Sequence, residues 1–512
     1  MFRTGDRNNL YILILYIVLT ITYLVSEYFI TGHRFGVPLD DTWIHFRFAE
    51  NFANGHFFEY NIGSPMPGTT SPLWIIILSI PFLIYSKLFM VFSLLAGSIF
   101  LLLTCLEIYR LGKRLGFSEN YSFLIAMLTL LAGRLLWSSL SGMEITLFCY
   151  LTVIIVKTHI GEIKSGRVSI ITGLLLGIAG ITRPEAYLLA AIYFVLTLVL
   201  LRKSIKENIL HLVLSAVIFL IIILPYHLFS HAITGKFLPS TFQGQNAGFY
   251  LIPNFTFLAE TGKLFFRDNV IVLLLWIISS AYFIYRLVRN KTDKKFLLIY
   301  LWVIMLPLIS AFIAPNWRHH GRYLIPIIPF INIVAIDILR KFEQYLQGKN
   351  FRFTAIAKKI TPAVLILLTL FSTFTYDIAL GMNVENINDQ QVKIAQWLKR
   401  NLPDETAFGM NDIGAITFIT KKKTVDMAGL ITPEVFKLQK MSFEEGNKKL
   451  MALLKRNNVN YIIIYPSWYE YLMEHYSDAL QQVYSARLEK NTICGDIEMY
   501  VYKINWDKIN LK

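Results

Sequence analysis

The chain has 512 residues, of which 55% are hydrophobic and only 16% are charged. With a mean hydropathy of +0.51, it carries more apolar surface than a soluble domain of this size can bury, so a bilayer must act as its solvent. The formal net charge of +15 could indicate a nucleic-acid partner. The Lys and Arg residues, however, cluster in short loops beside apolar runs, as the positive-inside rule requires. Membrane topology therefore explains the charge better, and we expect no nucleic-acid partner.

The first apolar run, from Tyr11 to Ile30, has the length of about 20 residues that crosses a hydrocarbon core of ~30 Å. It exceeds the ~7 to 15 residues of a signal-peptide core and ends without an Ala-x-Ala cleavage site, which predicts an uncleaved first helix. Later basic loops mark the cytoplasmic side, at Arg110 to Arg114, Lys157 to Arg167, Arg202 to Lys206, Arg286 to Lys295 and Arg340 to Lys359. The sequence thus predicts about 11 transmembrane helices, or 13 in an alternative count, with a cytoplasmic N-terminus.

Polar residues concentrate in the segments that this topology places outside. Those segments are 31 to 71, 141 to 144, 183 to 185, 226 to 268 and 315 to 323. The stretch from Pro72 to Tyr109 is long enough for two short helices, but two crossings would put the basic loop at Arg110 outside. We expect one full crossing there, together with one partial, re-entrant or interfacial piece.

The pattern changes near Asn383 to that of a soluble domain. Gln390 to Asn401 has helical periodicity, and the short apolar runs Ala407 to Met410 and Tyr461 to Tyr465 are separated by Pro and Gly. We predict a transmembrane domain over residues 1–380, with its first outer loop at 31–71. Residues 381–512 are predicted to form an extracytoplasmic α/β domain, which is long enough to hold its own core.

The first outer loop contains two adjacent acids beside the bilayer, Asp40 and Asp41. Read as a helix, the segment aligns Ile44, Phe48 and Phe52 at spacings of four, which describes a helix lying in the membrane interface. Neighbouring helical side chains point about 100° apart, so we expect one acid to be catalytic and the other supportive. The alternative is that an Asp at a helix start is only an N-cap, which accepts hydrogen bonds from free backbone N–H groups.

Two further outer turns carry charged side chains between apolar runs. Glu144 ends the turn Ser141 to Glu144, where a carboxylate at membrane depth is costly unless it is paired or solvated in a cavity. In the turn Thr182 to Glu185, the planar guanidinium of Arg183 can bind a phosphate or a carboxylate. The alternatives are a helix cap at Glu144 and a structural ion pair between Arg183 and Glu185.

The segment from Asn316 to Tyr323 is denser in cationic and hydrogen-bonding groups than an outer loop needs, which indicates an anion site. Its adjacent His319 and His320 are weak candidates for metal ligands, because neighbouring histidines rarely bind one ion and no third ligand is near in sequence. The three cysteines form neither a disulfide pattern nor a Cys-x-x-Cys pair, so we expect no cysteine chemistry.

Together these segments resemble the C-type (GT-C) membrane glycosyltransferases, especially the branch of cell-wall arabinofuranosyltransferases and protein mannosyltransferase-like enzymes. The likeness lies in the order of the motifs as well as their content, and it spans nearly the whole chain. The first-loop matches are Asp40-Asp41, Arg47-Phe48-Ala49, Asn51, Gly55, Asn61-x-Gly63 and Gly68-x-Thr70-Ser71-Pro72-Leu73-Trp74. The later matches are Ser141-Gly142-Met143-Glu144, Thr182-Arg183-Pro184-Glu185, Thr234-Gly235-x-x-Leu238-Pro239-x-Thr241, Gly321-Arg322-Tyr323-x-x-Pro326, Asp412-Ile413-Gly414-Ala415 and Asp426-x-x-Gly429-Leu430.

Two positions depart from the pattern of this branch. Pro67 stands where the resemblance leads us to expect an acidic residue, and Ser240 stands where we expect Asn. These departures concern the identity of the sugar or the acceptor more than the fold.

The resemblance implies a GT-C fold and an inverting transfer of a sugar from a polyprenyl-phosphate donor to a glycan, lipid or protein acceptor. A first-loop Asp would be the general base that removes the proton of the attacking hydroxyl, with Asp40 as the first choice and Asp41 as the second. Negative charge develops on the leaving lipid phosphate, and the candidates to stabilise it are Arg183, His319, His320 and Arg322. The residues expected to orient substrate are Glu144, Glu185, His45 and Thr70.

The resemblance leaves open whether a divalent metal takes part, and the sequence does not identify the sugar or the acceptor. Asp412 and Asp426 of the tail are explained as well by a structural role as by contact with the acceptor. The composition is compatible with a bacterial inner membrane, which we take as the expected location.

Two other classes of polytopic protein stay as alternatives. A lipid or glycan transporter or flippase should show inverted repeats and paired broken helices, which the sequence lacks, and would not need an α/β tail. A polysaccharide polymerase or ligase also uses polyprenyl-linked sugars, but its donor and acceptor are longer glycans. The length of the accumulated product would separate that class from a transferase of single sugars.

Overall fold

The computed structural model describes residues 4–200, 202–239, 250–348 and 354–510, which are mostly helical. Ser240 and Thr241 of the sequence motifs, and part of the basic loop Arg340 to Lys359, lie outside the described residues. The longer α-helices are Thr4–Ile30, Asp40–Ala53, Pro72–Ile84, Phe89–Arg114, Glu119–Leu130, Ile145–Ser165, Ile170–Gly180, Glu185–Leu200, Ile205–Thr234, Phe255–Val288, Leu297–Ile313, Ile328–Gly348, Thr354–Ile387 and Phe443–Arg456. The shorter ones are Gly133–Ser139, Lys393–Asn401, Gly414–Thr420, Glu434–Leu438 and Glu470–His475.

Eight of the described helices are long and apolar enough to cross a membrane, and the bent pair Glu119–Leu130 and Gly133–Ser139 makes nine if it forms one span. Three shorter apolar helices accompany them, at Pro72–Ile84, Ile170–Gly180 and Glu185–Leu200. The chain is an integral membrane protein. The lower end of the predicted 11 to 13 crossings is reached only if the three shorter helices, each below the ~20 residues of a full span, also enter the bilayer.

The stretch from residue 72 to residue 109 has the two pieces expected from the basic loop that follows it. Pro72–Ile84 is a short apolar helix, and Ser86–Arg114 is long enough to be a full span. The predicted helix from Gln390 to Asn401 begins earlier than expected, because the helix Thr354–Ile387 continues through a π-helical turn, Asn388–Val392, into Lys393–Asn401.

The chain divides into two compact units. The first, which we call the helical unit, comprises Met1–Val25, Leu94–Pro225 and Ala247–Ile378. The second, which we call the loop–tail unit, comprises Ser26–Ser93, Tyr226–Asn246 and Ala379–Lys512. The first outer loop and the C-terminal tail thus belong to one unit, whereas the domain boundary between residues 380 and 381 stays a prediction.

The tail contains a five-stranded sheet. Its strands are β3 (Ala407–Met410), β4 (Thr424–Asp426), β5 (Val459–Ile464), β6 (Leu480–Arg487) and β7 (Glu498–Ile504), in the order β4-β3-β5-β7-β6. Strand β3 runs parallel to β4 and β5, and β7 runs antiparallel to β5 and β6. The mixed sheet and its helices confirm the predicted α/β tail.

The core of the tail forms between the sheet and the helix Phe443–Arg456. Ser442 is the N-cap of this helix, and its hydroxyl accepts a hydrogen bond from the Glu445 N–H at 3.4 Å. Its apolar side chains then recur every three or four residues and are buried against β5. The buried residues of this core include Leu450, Met451, Leu454, Ile462 and Ile464.

The first outer loop forms the predicted helix Asp40–Ala53, followed by a small hairpin of β1 (Glu59–Asn61) and β2 (Ser64–Pro65). Trp43 and Phe46 of this helix contact the ring of Phe418, which belongs to the helix Gly414–Thr420 of the tail. Aromatic packing therefore brings the start of one helix close to the start of the other.

Candidate active site

Asp40 is the first residue of its helix, and its carboxylate accepts two hydrogen bonds from the backbone of the tail. Oδ2 accepts from the Gly414 N–H at 2.7 Å, and Oδ1 accepts from the Ala415 N–H at 2.8 Å. Such a close approach requires glycine, because a Cβ at Gly414 would lie 2.1 Å from the carbonyl oxygen of Asp40. Asp40 therefore caps the helix Gly414–Thr420 and not its own helix.

Asp412 lies two residues before Gly414 and is held by three side chains. Its Oδ2 accepts from Gln391 Nε2 at 2.9 Å and from the Tyr465 hydroxyl at 2.8 Å. Its Oδ1 accepts from Asn411 Nδ2 at 3.0 Å. The tail thus fixes the orientation of the Asp412 carboxylate through residues from three different segments.

Asp40, Asp41 and Asp412 interact as like charges, and we call them the acid cluster. Burial raises the pKa of Asp40 to about 8, and the charges of Asp412 and Asp41 add to this, whereas its backbone hydrogen bonds act against it. Burial also raises the pKa of Asp412, and the charge of Asp41 contributes. The raised pKa of Asp40 and the like charges beside it favour retention of a proton by this cluster near neutral pH.

Two polar residues of the first-loop motifs fasten the loop. Arg47 donates to the Tyr60 carbonyl oxygen at 3.3 Å and pairs with Glu50 at 3.2 Å. The side-chain amide of Asn61 donates to the Thr424 carbonyl oxygen at 2.8 Å and accepts from the Thr424 N–H at 3.0 Å. Both residues therefore have structural roles: Arg47 connects two parts of the loop, and Asn61 attaches the loop to the tail.

The other first-loop candidates lie at different depths. His45 is buried in the helix Asp40–Ala53, and Thr70 is partly exposed just before the helix Pro72–Ile84. Their role in orienting substrate stays a prediction.

Asp426 has a structural explanation. It ends strand β4, and its carboxylate accepts from the Ala428 N–H at 2.7 Å and the Ile431 N–H at 2.9 Å. Burial raises its pKa to about 6 although these hydrogen bonds act in the opposite direction. The side chain closes the loop that follows β4, which accounts for the tail motif at residues 426 to 430.

In the helical unit, Arg183 lies between two carboxylates. Its Nη1 donates to Glu144 Oε1 at 2.5 Å, and its Nη2 and Nε donate to Glu185 Oε1 at 2.8 and 3.1 Å. All three side chains are at least nine-tenths buried. The Arg183–Glu185 pair that we considered as an alternative is therefore present, and Glu144 joins it, so one cation faces two anions.

Tyr323 connects this triad to a second arginine. The guanidinium of Arg183 lies 5.2 Å from the centre of the Tyr323 ring, and that of Arg322 lies at the same distance. Arg322 Nη2 also donates to the Tyr323 hydroxyl at 3.1 Å. The structure thus brings Arg183 and Arg322, two of the predicted phosphate-binding residues, to one tyrosine.

His319, His320 and Gly321 form a run of three left-handed residues, with φ angles of 52°, 59° and 64°. Such angles are uncommon outside glycine, and they persist where the surrounding structure imposes them. The His320 ring packs against Trp137 and Tyr376, at 4.7 and 5.2 Å between ring centres. The histidine loop is therefore held in a specific conformation.

Arg134 contacts this loop, and the sequence did not identify it as a site residue. Its Nη1 donates to the His320 carbonyl oxygen at 3.3 Å, and its Nε lies 2.9 Å from both carboxylate oxygens of Asp268. A Cβ at Gly321 would lie 3.2 Å from Arg134 Nη1 and 2.6 Å from Leu264, so only glycine fits beneath the loop. A lone arginine within an apolar run was the sequence signal that could have revealed this pair.

No group of three or more His, Cys, Asp or Glu side chains is placed to hold a metal ion within the described ranges of the chain. The acid cluster is a poor ligand set as it stands, because the oxygens of Asp40 and Asp412 already accept hydrogen bonds. A role for a divalent metal stays untested.

Comparisons with known proteins identify the fold. Residues 385–505 match a family described as a domain of unknown function (DUF8728). No curated protein matches the chain. ArnT from Cupriavidus metallidurans bound to undecaprenyl phosphate matches over 95% of this chain and 97% of its own, with 12% identity and a TM-score of 0.60. An oligosaccharyltransferase from Archaeoglobus fulgidus, tethered with an acceptor peptide, matches over 96% of this chain and 74% of its own, with 12% identity and a TM-score of 0.54.

Both solved structures belong to the GT-C superfamily. The chain has the GT-C fold. The fold predicted from the motifs is confirmed over nearly the whole chain, including the tail. At 12% identity the likeness concerns the GT-C fold alone, and the roles of individual residues depend on the geometry described above.

Proposed function

We propose that this GT-C protein is a glycosyltransferase that moves a sugar from a polyprenyl-phosphate donor to a glycan, lipid or protein acceptor at the outer face of a membrane. The observation that carries the proposal is the acid cluster, in which two carboxyl groups with raised pKa values neighbour Asp41. Perturbed carboxyl groups cluster at functional sites, so the acid cluster is a candidate site of acid–base chemistry. The undecaprenyl phosphate in the similar ArnT structure supports a polyprenyl phosphate as the carrier of the sugar.

We assign the general base to Asp41. The sequence placed Asp40 first, but both oxygens of Asp40 accept backbone hydrogen bonds from Gly414 and Ala415, which suits a positioning residue. In the proposed step, the carboxylate of Asp41 takes the proton of the acceptor hydroxyl while that oxygen bonds to the anomeric carbon of the sugar. The bond between this carbon and the lipid phosphate breaks on the opposite side, so the configuration inverts and the phosphate leaves with the electron pair.

We assign the leaving phosphate to Arg322, His319 and His320, which can donate hydrogen bonds where negative charge develops. Arg183 was expected in the same set. Because Glu144 and Glu185 already balance its charge, we give Arg183 the task of positioning Tyr323 and, through it, Arg322.

We place the N-terminus in the cytoplasm and the tail outside, in the inner membrane of a bacterium. The basic loops between the apolar runs support this topology. A transporter or flippase is the second candidate, since it shares the apolar helices, but it gives no reason for the acid cluster.

The test measures sugar transfer by membranes that contain the wild type, Asp41→Asn, Asp40→Asn or the control Asp478→Asn, whose side chain is exposed on the tail. Each is supplied with a panel of polyprenyl-phosphate sugars and acceptors, with and without a chelator. We expect Asp41→Asn to lose roughly 10²- to 10⁴-fold in rate, as removal of a general base does, and the control to match the wild type.

Full activity of Asp41→Asn would overturn the assignment of the base. If the wild type consumes no donor of the panel, the transporter becomes the better explanation. Loss of transfer in the chelator arm would show that a divalent metal takes part.

A further inference from the structure

The tail contains a cavity of about 490 Å³ that the proposed chemistry does not use. It lies within the loop–tail unit, between the loop after β4 and the helices Glu434–Leu438 and Phe443–Arg456. Its volume falls in the range of roughly 300 to 1,000 Å³ that is typical of small-molecule sites. The cavity is therefore large enough for a ligand rather than for water alone.

The lining of the cavity selects a class of ligand. None of the described residues that line it is Asp, Glu, Lys, Arg or His, so it offers no counter-charge to a phosphate, a carboxylate or an amine. The lining also carries amide and hydroxyl groups, which can form hydrogen bonds with a ligand. These polar groups belong to Asn411, Gln439, Ser442, Asn447 and Tyr469.

Aromatic side chains stand among these polar groups. Phe443 and Trp468 line the cavity with 69% and 49% of their surfaces exposed. An aromatic face packs against the C–H face of a sugar ring, while amides and hydroxyls bond its hydroxyl groups. A neutral, polyhydroxylated ring is the ligand that uses both kinds of group at once.

One polar residue of the lining, Asn411, hydrogen-bonds to the acid cluster. Asn411 is buried, and its Oδ1 has no hydrogen-bond partner within the described part of the chain. The amide nitrogen of the same side chain donates to Asp412 at 3.0 Å, so Asn411 connects the cavity to the acid cluster.

Trp468, on another side of the cavity, is also connected to Asp412. The Trp468 ring lies 5.1 Å from that of Tyr465, and the Tyr465 hydroxyl donates to Asp412 Oδ2 at 2.8 Å. We propose that this cavity binds a neutral saccharide unit of the acceptor, the class of substrate that the acid cluster then deprotonates. This role in the acceptor rests on the proposed glycosyltransferase function, whereas saccharide binding itself does not.

The first experiment measures binding to the full chain in nanodiscs, by saturation-transfer NMR with a panel of methyl glycosides of hexoses and pentoses. We expect the wild type to bind at least one glycoside, and Trp468→Ala and Asn447→Ala to weaken that binding roughly tenfold, the loss expected from one good contact. Trp397→Ala is the matched control, because Trp397 stacks on Tyr484 outside the cavity lining. Thermal unfolding of each variant checks that it is folded.

Absence of binding by the wild type, or equal binding by Trp468→Ala, overturns the saccharide site. If the cavity binds a peptide that none of the glycosides displaces, the saccharide site is overturned as well.

The second experiment measures transfer. We expect Trp468→Ala to raise the KM for the acceptor with little change in kcat or in the KM for the donor, because the cavity binds the acceptor in the ground state. Transfer with an unchanged acceptor KM in Trp468→Ala keeps the proposed function and overturns the acceptor site. Glycoside binding by a folded wild type that transfers no sugar supports the cavity as a saccharide site and removes the proposed function.

Discussion

The acid cluster of the loop–tail unit and the Arg183 triad of the helical unit solve the problem of buried charge in opposite ways. In the acid cluster, carboxyl groups neighbour one another, and backbone N–H groups, a side-chain amide and a tyrosine hydroxyl donate hydrogen bonds to Asp40 and Asp412. In the triad, one arginine lies between two carboxylates. The first arrangement keeps a proton available near neutral pH, whereas the second fixes its charges in place.

This contrast separates proton chemistry from positioning. A group that gains and loses a proton during a reaction must have two protonation states of similar free energy, which like charges in a buried place provide. A compensated arginine has one state and serves as a rigid support. We therefore expect the proton transfer at the acid cluster and not at the Arg183 triad.

The largest expected effect comes from breaking the triad. Arg183→Met would remove the arginine that pairs with the buried Glu144 and Glu185, and loss of one partner of a buried ion pair costs about 3–5 kcal/mol. We expect a correspondingly lower midpoint in denaturant unfolding of the purified protein. Combining Arg183→Met with Glu144→Gln and Glu185→Gln should recover most of the stability. An unchanged midpoint in the single variant would show that the triad does not support the helical unit.

The next effect comes from crowding the acid cluster. Gly414→Ala would place a methyl group against the backbone of Asp40, and overpacking of this kind costs about 1–3 kcal/mol. We expect a lower unfolding temperature and slower sugar transfer, since Asp40 must move. Gly262→Ala is the matched control, because a Cβ there meets no atom within 4 Å. Equal unfolding temperatures in the two variants would contradict the close contact between Asp40 and Gly414.

The acid cluster should also make stability depend on pH. The folded pKa of Asp40 is raised to about 8, above its ordinary value of 3.8, and burial raises the pKa of Asp412 in the same direction. Between these pH values the folded state binds more protons than the unfolded state, so the free energy of unfolding falls as pH rises from about 4 to 8. The slope is at most about 1.4 kcal/mol per pH unit for each group.

Unfolding of the full chain at pH 5, 6, 7 and 8 measures this slope. Asp40→Asn cannot titrate at this position and should flatten the slope, whereas the exposed Asp478→Asn should keep it. The same slope in Asp40→Asn and in the wild type would remove Asp40 from the groups that retain a proton.

The sequence predicted those parts of the molecule that depend on local pattern. The start of a helix at Asp40 and the existence of an α/β tail follow from periodicity and punctuation, and the structure has both. The short apolar run from Ala407 to Met410 is a strand of that tail. The order of motifs along the chain gave the GT-C fold. The helix and the tail depend on residues that are close in sequence, and the fold depends on a pattern that spans the chain.

The partners of the site residues could not be predicted in this way. Asp40 and Gly414 are separated by more than 370 residues, and the tertiary packing of two helices alone brings them together. For the same reason, the sequence allowed Asp40 to be either a general base or a cap of its own helix. In the structure it caps the helix Gly414–Thr420. Arg134 and Asp268 escaped notice because neither belongs to a motif, although an arginine at membrane depth demands an acidic partner.

The smallest expected effect concerns the attachment of the first outer loop to the tail. Asn61→Ala removes two hydrogen bonds to the Thr424 backbone, at 2.8 and 3.0 Å, and should lower the free energy of unfolding by about 1–2 kcal/mol. Because the loop carries Asp40 and Asp41, we also expect slower transfer at unchanged donor affinity. Ile62→Ala is the control, since its side chain is mostly exposed beside Asn61. If both variants match the wild type in stability and rate, the loop is positioned by helix packing alone.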